Sequence, residues 1–285
     1  MREFIGRVMD RVFNDFKDNL QQQDSMCGLN NVRFDGGNVP DYTDSIKIQL
    51  YLLRYFPAYL VEYYDLYSKI LRDYEISDYL YVLSLGCGCG IDYYGLMLAC
   101  HKHDEELYIS YTGVDAVDWP YKDCMDEDFE FIQVDLGEWE KFDWPSYNVI
   151  IFPKSIGEFS SQGFISLKGT VSRSQFKKDR IFLVASMRAE HKDTDKERLT
   201  EIKEIFLTRH GYSCASDYIF YFDSNSGIVT EFPEFKYPDH ILEYITSLPE
   251  QCAAKDEYSC KDCSIGRWPI LKLKYFLCRI VVLVR

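Results

Sequence analysis

The stretch VLSLGCGCGIDYYG, Val82–Gly95, governs the reading of the whole chain. An apolar run closes on glycines at alternate positions, Gly86, Gly88 and Gly90, and a helical pattern follows. Glycines so placed let the backbone adopt positive φ and come close to a ligand, while the first N–H groups of the next helix lack intrahelical partners. Such a turn either holds a polar ligand or is a tight corner between a strand and a helix, and its surroundings decide between the two.

Those surroundings alternate strand with helix. YLYVLSLG predicts a strand from Tyr79 and IDYYGLMLACHKH a helix. LYISYTGVD, FEFIQVD, YNVIIFP and DRIFLVASM predict strands, and DKERLTEIKEIFLTRHG a helix with Gly211 as its C-cap. Apolar strands with helical crossovers are buried on both faces, so the fold class is α/β with a doubly wound, mostly parallel sheet. YIFYF and the tail ILKLKYFLCRIVVLVR predict two late strands that complete the sheet as a hairpin-like edge. An irregular excursion from about Asp223 to Pro269, with one helix near HILEYITSL, joins them.

Ahead of the sheet the pattern is helical. Phe4, Ile5, Val8, Val12, Phe13 and Phe16 recur at three and four residues, which predicts an amphipathic helix to Leu20. DGGNVPDYTD reads as a loop in which Thr43 or Asp44 caps a second helix over about Ser45–Asp73, with Pro57 expected to kink it. The expected organisation is an N-terminal helical cap over 1–78 and a ligand-binding domain over 79–285 with an insertion at about 223–268.

At 285 residues and 47% hydrophobic content, the chain can fill a large core, which excludes a disordered or fibrous protein. Its 32 basic and 46 acidic residues give a net charge of −14, so no field over the whole surface draws it to phosphate, although a local basic patch can still bind RNA. The start, MREFIGRVMDRVFNDF, lacks a signal-peptide core, and no run approaches the roughly 20 apolar residues that span a bilayer. The expectation is a soluble, cytoplasmic protein without membrane contact. Ten cysteines, several inside apolar runs, behave as small hydrophobes rather than a disulfide framework. Aromatic residues reach 16%, which suits a cleft that stacks flat groups or is simply a habit of composition.

Two carboxylates complete the pattern around the glycines. Asp115 ends the strand YTGVD about 25 residues after Gly90, where an open sheet places an acid that accepts hydrogen bonds from ribose hydroxyls. Asp135 ends FIQVD, from which it can accept a hydrogen bond from an adenine amino group. The order YVLSLGCGCG, GVD, FIQVD, YNVIIFP resembles the Rossmann-like, class I, S-adenosylmethionine-dependent methyltransferases from about Tyr79 to the C-terminus. The late strand pair also matches that family, whereas a nicotinamide-binding domain would not need it.

The resemblance implies that S-adenosyl-L-methionine is the cofactor. It further implies that Gly86, Cys87, Gly88 and Gly90 hold the methionine and ribose end, with Asp115 and Ala116 at the ribose, Asp135 and Leu136 at the adenine, and Phe152 and Pro153 ending the fourth strand beside them. Ser84 stands where many members have an acid that positions the methionine amino group. FPKSIGEF replaces the Asn/Asp-Pro-Pro-aromatic signature of amino-directed nucleic-acid methylases, which argues against DNA. Over short pieces alone, YLLRYFPAYLVEYY before the glycine loop and FPKSIGEF after it, the chain is also similar to the ribosome-associated Rsm22-like methyltransferases.

Methyl transfer is an in-line displacement that needs positioning rather than a nucleophilic side chain, and a general base helps only where the acceptor must lose a proton early. Lys154, Ser155 and Glu158 follow the fourth strand, where the family's acceptor group sits. Glu158 is the candidate base and Lys154 a candidate for binding an anionic acceptor; the plainer role for Glu158 is at a helix start. Arg188 and His191 follow the fifth strand on the same edge or are surface residues. Tyr55, Tyr59, Tyr63 and Tyr64 either roof the cofactor or belong to the core. Cys260 and Cys263 form a C-x-x-C near Cys252, with Cys278 or His240 as further ligand candidates; reduced thiols without metal are the default. The acceptor expected is a small molecule or a protein, with RNA less favoured. A fold kept as a cofactor-binding scaffold and a nucleotide-dependent oxidoreductase are the alternatives.

Overall fold

A computed structural model of the protein describes residues 2–22, 27–30, 32, 34, 42, 44–76, 79–103, 107–122, 129–139, 146–230, 235–251 and 269–285. These fall into two compact units, one of Met1–Glu62 with Ile228–Leu273, the other of Tyr63–Gly227 with Lys274–Arg285.

The first unit is helical. Helix α1 (Arg2–Gln21) buries Ile5, Val8, Met9, Val12, Phe13, Phe16 and Leu20 on one face, as the spacing predicts. A single turn, α2, spans Cys27–Asn30. Asp44 caps α3 (Ser45–Asp73) by accepting the Ile46 N–H at 3.2 Å, and the helix runs unbroken through Pro57. Thr43 lies outside the described residues. The late excursion supplies α7 (Asp239–Gln251), and Phe13 meets its His240 and Tyr244 rings edge-on at 5.4 and 5.2 Å. Tyr237 donates its hydroxyl to the Leu53 carbonyl at 3.0 Å.

The second unit is built on a seven-stranded sheet in the order β3-β2-β1-β4-β5-β7-β6. Its strands are β1 (Tyr79–Leu85), β2 (Tyr108–Asp115), β3 (Phe129–Gln133), β4 (Val149–Pro153), β5 (Arg180–Met187), β6 (Ser213–Val229) and β7 (Lys272–Val284). Strands β1 to β5 pair in parallel, while β7 runs antiparallel to β5. Ser213 at the start of β6 meets Val284 at the end of β7, and Thr230 meets Leu271, so β6 and β7 are antiparallel as well. Helices α4 (Ile91–Lys102), α5 (Ser161–Arg173) and α6 (Lys192–Arg209) lie in the crossovers. Leu83, Phe152, Leu183, Phe206 and Val281 are fully buried in a core that α5 and α6 share with the sheet.

The expected α/β sheet, mostly parallel with an antiparallel terminal strand and helices ahead of it, is therefore what the chain forms. Two expectations need correction. Strand β6 continues to Val229, so the first residues assigned to the irregular excursion are extended. Helix α5 went unpredicted; Ser160 caps it by accepting the Gly163 N–H at 3.0 Å. Gly211, at φ 70°, ends α6 as expected, and the Tyr212 N–H returns to the Phe206 carbonyl at 3.2 Å.

Candidate functional site

The glycine turn leaves β1 at the carboxyl edge of the parallel strands, where open α/β sheets bind ligands. Gly86, Gly88 and Gly90 have φ of 72°, 56° and 70°. At Gly86 a side chain is excluded twice: its φ is left-handed, and a Cβ would stand 2.4 Å from Ser155 Cβ. Ser155 holds that approach by donating its hydroxyl to the Leu85 carbonyl.

The amides of the turn are used inside the protein. Gly86 and Cys87 donate to the Val114 carbonyl at 2.7 and 3.1 Å, Gly90 donates to Cys87 at 2.9 Å, and Gly88 donates to Asp115 Oδ2 at 2.8 Å. Asp115 also accepts the Val117 N–H on Oδ1 at 2.9 Å. Its burial raises its pKa against the pull of these donors. The first turn of α4 carries its own anion, the buried Asp92 carboxylate, which takes hydrogen bonds from the Tyr111 and Ser84 hydroxyls, each at 2.8 Å, and from the amides of Asp92 and Tyr93.

A cavity of about 270 Å³ opens beside the turn. Gly86, Asp115, Ala116, Asp135, Leu136, Ser155 and Glu158 line it together with Phe159, Ser160 and Gly163. Asp135 lies two residues beyond the end of β3 and accepts the Gly137 N–H at 2.8 Å. Larger cavities of about 590 and 460 Å³ exist in this unit, but neither touches the glycine turn.

The remaining predicted residues stand back from the cavity. Cys87 is buried, and a Cβ on Gly113 would lie 2.8 Å from its sulfur, so the thiol packs on β2 and burial pushes its pKa up. Gly88 and Gly90 shape the turn without lining the cavity, and Phe152 is fully buried, its ring edge-on to Phe159 at 6.4 Å. Pro153 ends β4 half-buried, and Lys154 follows with φ 58°, an uncommon conformation for a lysine, its Nζ directed to the Met187 carbonyl at 3.5 Å.

Glu158 is tied to Arg188, whose Nη1 donates to its Oε1 at 3.2 Å. Burial raises the Glu158 pKa, and Arg188 opposes the shift. Sequence reasoning missed the partner behind this pair, Asp195 in the first turn of α6. Fully buried, Asp195 accepts the Arg188 N–H at 3.0 Å and faces the Arg188 guanidinium at 3.8 Å. Gly157 makes room for them, since a Cβ there would lie 1.9 Å from Asp195 Oδ1. His191 sits in the turn before α6.

The tyrosine stripe of α3 divides. Tyr55 and Tyr59 stack on each other at 5.4 Å in the helical unit. In the sheet unit Tyr63 packs against Gly95, where a Cβ would meet Tyr63 Cβ at 2.5 Å. Cys252, Cys260 and Cys263 lie outside the described residues. Among the described residues there is no cluster of three or more His, Cys, Asp or Glu side chains able to hold a metal, and no helix long and apolar enough to cross a membrane.

No family model matches the sequence, and no curated protein matches it. Solved structures do. A TehB-like SAM-dependent methyltransferase from Corynebacterium glutamicum is similar at 11% identity over 77% of this chain and 86% of that one, with a TM-score of 0.40. The plantazolicin methyltransferase BpumL, solved with SAH, is similar at 11% identity over 95% and 99%, with a TM-score of 0.42. A SAM-dependent methyltransferase from Archaeoglobus fulgidus is similar at 14% identity over 76% and 94%, with a TM-score of 0.39. By its own strand order, and by the antiparallel β7 set between β5 and β6, the chain has the class I methyltransferase fold.

Proposed function

We propose that the chain is an S-adenosylmethionine-dependent methyltransferase that binds its cofactor at the carboxyl ends of β1, β2 and β3. The methyl group goes to a small-molecule or protein acceptor. One observation carries this reading: the amides of Gly86, Cys87, Gly88 and Gly90 are all bonded within the protein, and the cavity beside them is lined by three carboxylates, Asp115, Asp135 and Glu158. A dinucleotide needs free N–H donors for its pyrophosphate at such a turn, and it would meet acids instead. A nucleoside that carries a sulfonium and an ammonium suits an acidic cavity.

The residues fit that group. The Asp115 carboxylate takes the Gly88 and Val117 amides, and the Trp119 indole and the Ala116 amide also bear on it, so two ribose hydroxyls would share its oxygens with these donors. Asp135 is the acceptor for the adenine amino group, with Leu136 and Phe159 as apolar walls. When bound, the cofactor supplies an electrophilic methyl group on sulfur. The chain's part is to hold the acceptor on axis, and positioning of this kind supplies several kcal/mol. Lys154, Ser155 and Glu158 stand at the acceptor edge, and Arg188 fixes the Glu158 carboxylate there.

Calorimetry with S-adenosylmethionine and S-adenosylhomocysteine tests the reading. Binding of both at micromolar concentration is expected; no binding at millimolar concentration, with NADH bound instead, overturns it. A second reading is favoured by the same residues. Ser155 is bonded to Leu85, Glu158 to Arg188 and Lys154 to Met187, which suits a cofactor-binding module without transfer. Incubation with methyl-labelled S-adenosylmethionine and separated protein, RNA and metabolite fractions distinguishes the two. Label in the metabolite or protein fraction is expected, whereas cofactor binding without label in any fraction selects the module.

A further inference from the structure

We infer that the strand ends opposite the glycine turn form a binding surface for single-stranded nucleic acid. Tyr79 and Tyr108 are register partners at the starts of β1 and β2, with relative exposures of 50% and 55%. Their rings meet edge to face at 5.6 Å, and Tyr81 stacks beside Tyr79 at 6.1 Å with the planes 14° apart. Three rings thus form one shelf. Large aromatic faces left half in water as a cluster are a binding feature rather than the usual scatter of exposed apolar atoms.

The shelf adjoins a basic cleft. Lys178 Nζ lies 4.3 Å over the Tyr81 ring and also lines a cleft of about 590 Å³ that Arg180 and Arg285 share. Asn148 ties the two features together, donating to the Tyr79 carbonyl at 3.0 Å and accepting the Tyr81 N–H at 2.8 Å while lining the cleft. The acids here are Glu75 and Asp179, and Arg180 meets Glu75 only through its backbone carbonyl, at 2.7 Å. Three cationic side chains, Lys178, Arg180 and Arg285, thus line the cleft with two acidic ones, in a protein whose net charge is −14.

Rings that take bases on their faces, next to cations that track a backbone, are the two components of single-strand recognition. A duplex hides its base faces and would leave the shelf unused. A single nucleotide would use one ring, whereas the two exposed rings, Tyr79 and Tyr108, and the neighbouring cations span consecutive nucleotides.

The test is fluorescence anisotropy of the full chain, without cofactor, against labelled ten-residue oligouridine and oligoadenosine, a duplex of the same length, and AMP. The single strands are expected to bind at least tenfold more tightly than the duplex or AMP. Replacing Tyr79 and Tyr108 together by Ala should weaken binding at least tenfold, since each stacked base contributes about a factor of ten. Tyr79→Phe with Tyr108→Phe, which keeps the rings, should retain it. Lys178→Glu should weaken binding and lower the salt dependence by about one phosphate contact. No binding of either oligonucleotide at low salt overturns the proposal. So does equal affinity for duplex or AMP, or loss of binding in the Phe variants with an unchanged melting temperature. Because no cofactor is present, these outcomes are independent of the methyltransferase reading.

Discussion

Ser84 donates its hydroxyl to Asp92 Oδ2 at 2.8 Å, so a buried carboxylate from α4 stands beside the strand position where the resembled family often carries its own acid. Burial pushes the Asp92 pKa up to about 6 from 3.8, and the Tyr111 and Ser84 hydroxyls only partly offset it. The native state therefore holds this proton more tightly than the unfolded chain. The resulting stabilisation is complete below about pH 4 and is lost as the pH rises through 6, a swing of about 3 kcal/mol. Asp92→Asn removes it. Relative to the parent, the variant should gain stability between pH 4.5 and pH 7.5, measured by urea unfolding at both. An unchanged difference would show that Asp92 does not titrate in this range.

Gly86→Ala should be among the most damaging single-methyl additions in the sheet unit. It forces a left-handed φ on a residue with a Cβ, and that Cβ meets the Ser155 side chain at 2.4 Å. The conformational term alone is about 1–2 kcal/mol, and overpacking adds 1–3 more. The melting temperature should fall by several degrees and cofactor binding should go with it. Ser155→Gly in the same chain should restore part of the stability, because it removes the atoms in the way but leaves the φ strain.

Arg188→Ala leaves Asp195 buried with its guanidinium gone. Breaking a buried charge pair from one side typically costs 3–5 kcal/mol, and the 3.8 Å separation places this pair at the low end, about 3 kcal/mol. Burial already raises the Asp195 pKa, and without the Arg188 charge it rises further. The deficit should thus shrink as the pH falls and Asp195 takes up a proton. Unfolding of parent and variant at pH 7 and pH 4.5 reads this directly; the same deficit at both would place the loss in packing rather than charge.

The sheet was legible because its parallel strands are apolar runs that end in turn residues, and Gly86, Asp115 and Asp135, at or just past the ends of successive strands, line one cavity. Helix α5 was not. SQGFISLKGTVSR has two glycines and three serines, a poor helix former by local propensity, and it folds because Ser160 caps it and Phe164, Leu167 and Val171 are buried. Strand β6 overran its expected end because the ladder to β7 outweighs the turn propensity of DSNSG. Asp92 and Asp195 were hidden for another reason: an acid in a first helical turn reads as a dipole-complementing surface residue. Only the tyrosines around Asp92 signalled that its neighbourhood is buried.

Asp115 is the residue on which the cofactor reading stands. It holds the Gly88 amide at 2.8 Å and the Val117 amide at 2.9 Å, so its carboxylate both shapes the turn and faces the cavity. Losing a charge-assisted pair of hydrogen bonds to a diol costs about 1.5–3 kcal/mol, equivalent to a ten- to hundredfold weaker Kd. Asp115→Ala should show that loss for S-adenosylhomocysteine. Asp115→Asn should lose less, because one oxygen can still accept from Gly88 or from the ribose. Glu158→Ala should stay within about threefold of the parent, since its carboxylate is engaged by Arg188 at the acceptor edge. Calorimetry on the three variants, with circular dichroism to confirm folding, separates the outcomes: if Asp115→Ala binds as the parent does while Glu158→Ala fails, the ribose lies at the β4 edge and the cofactor is bound the other way round.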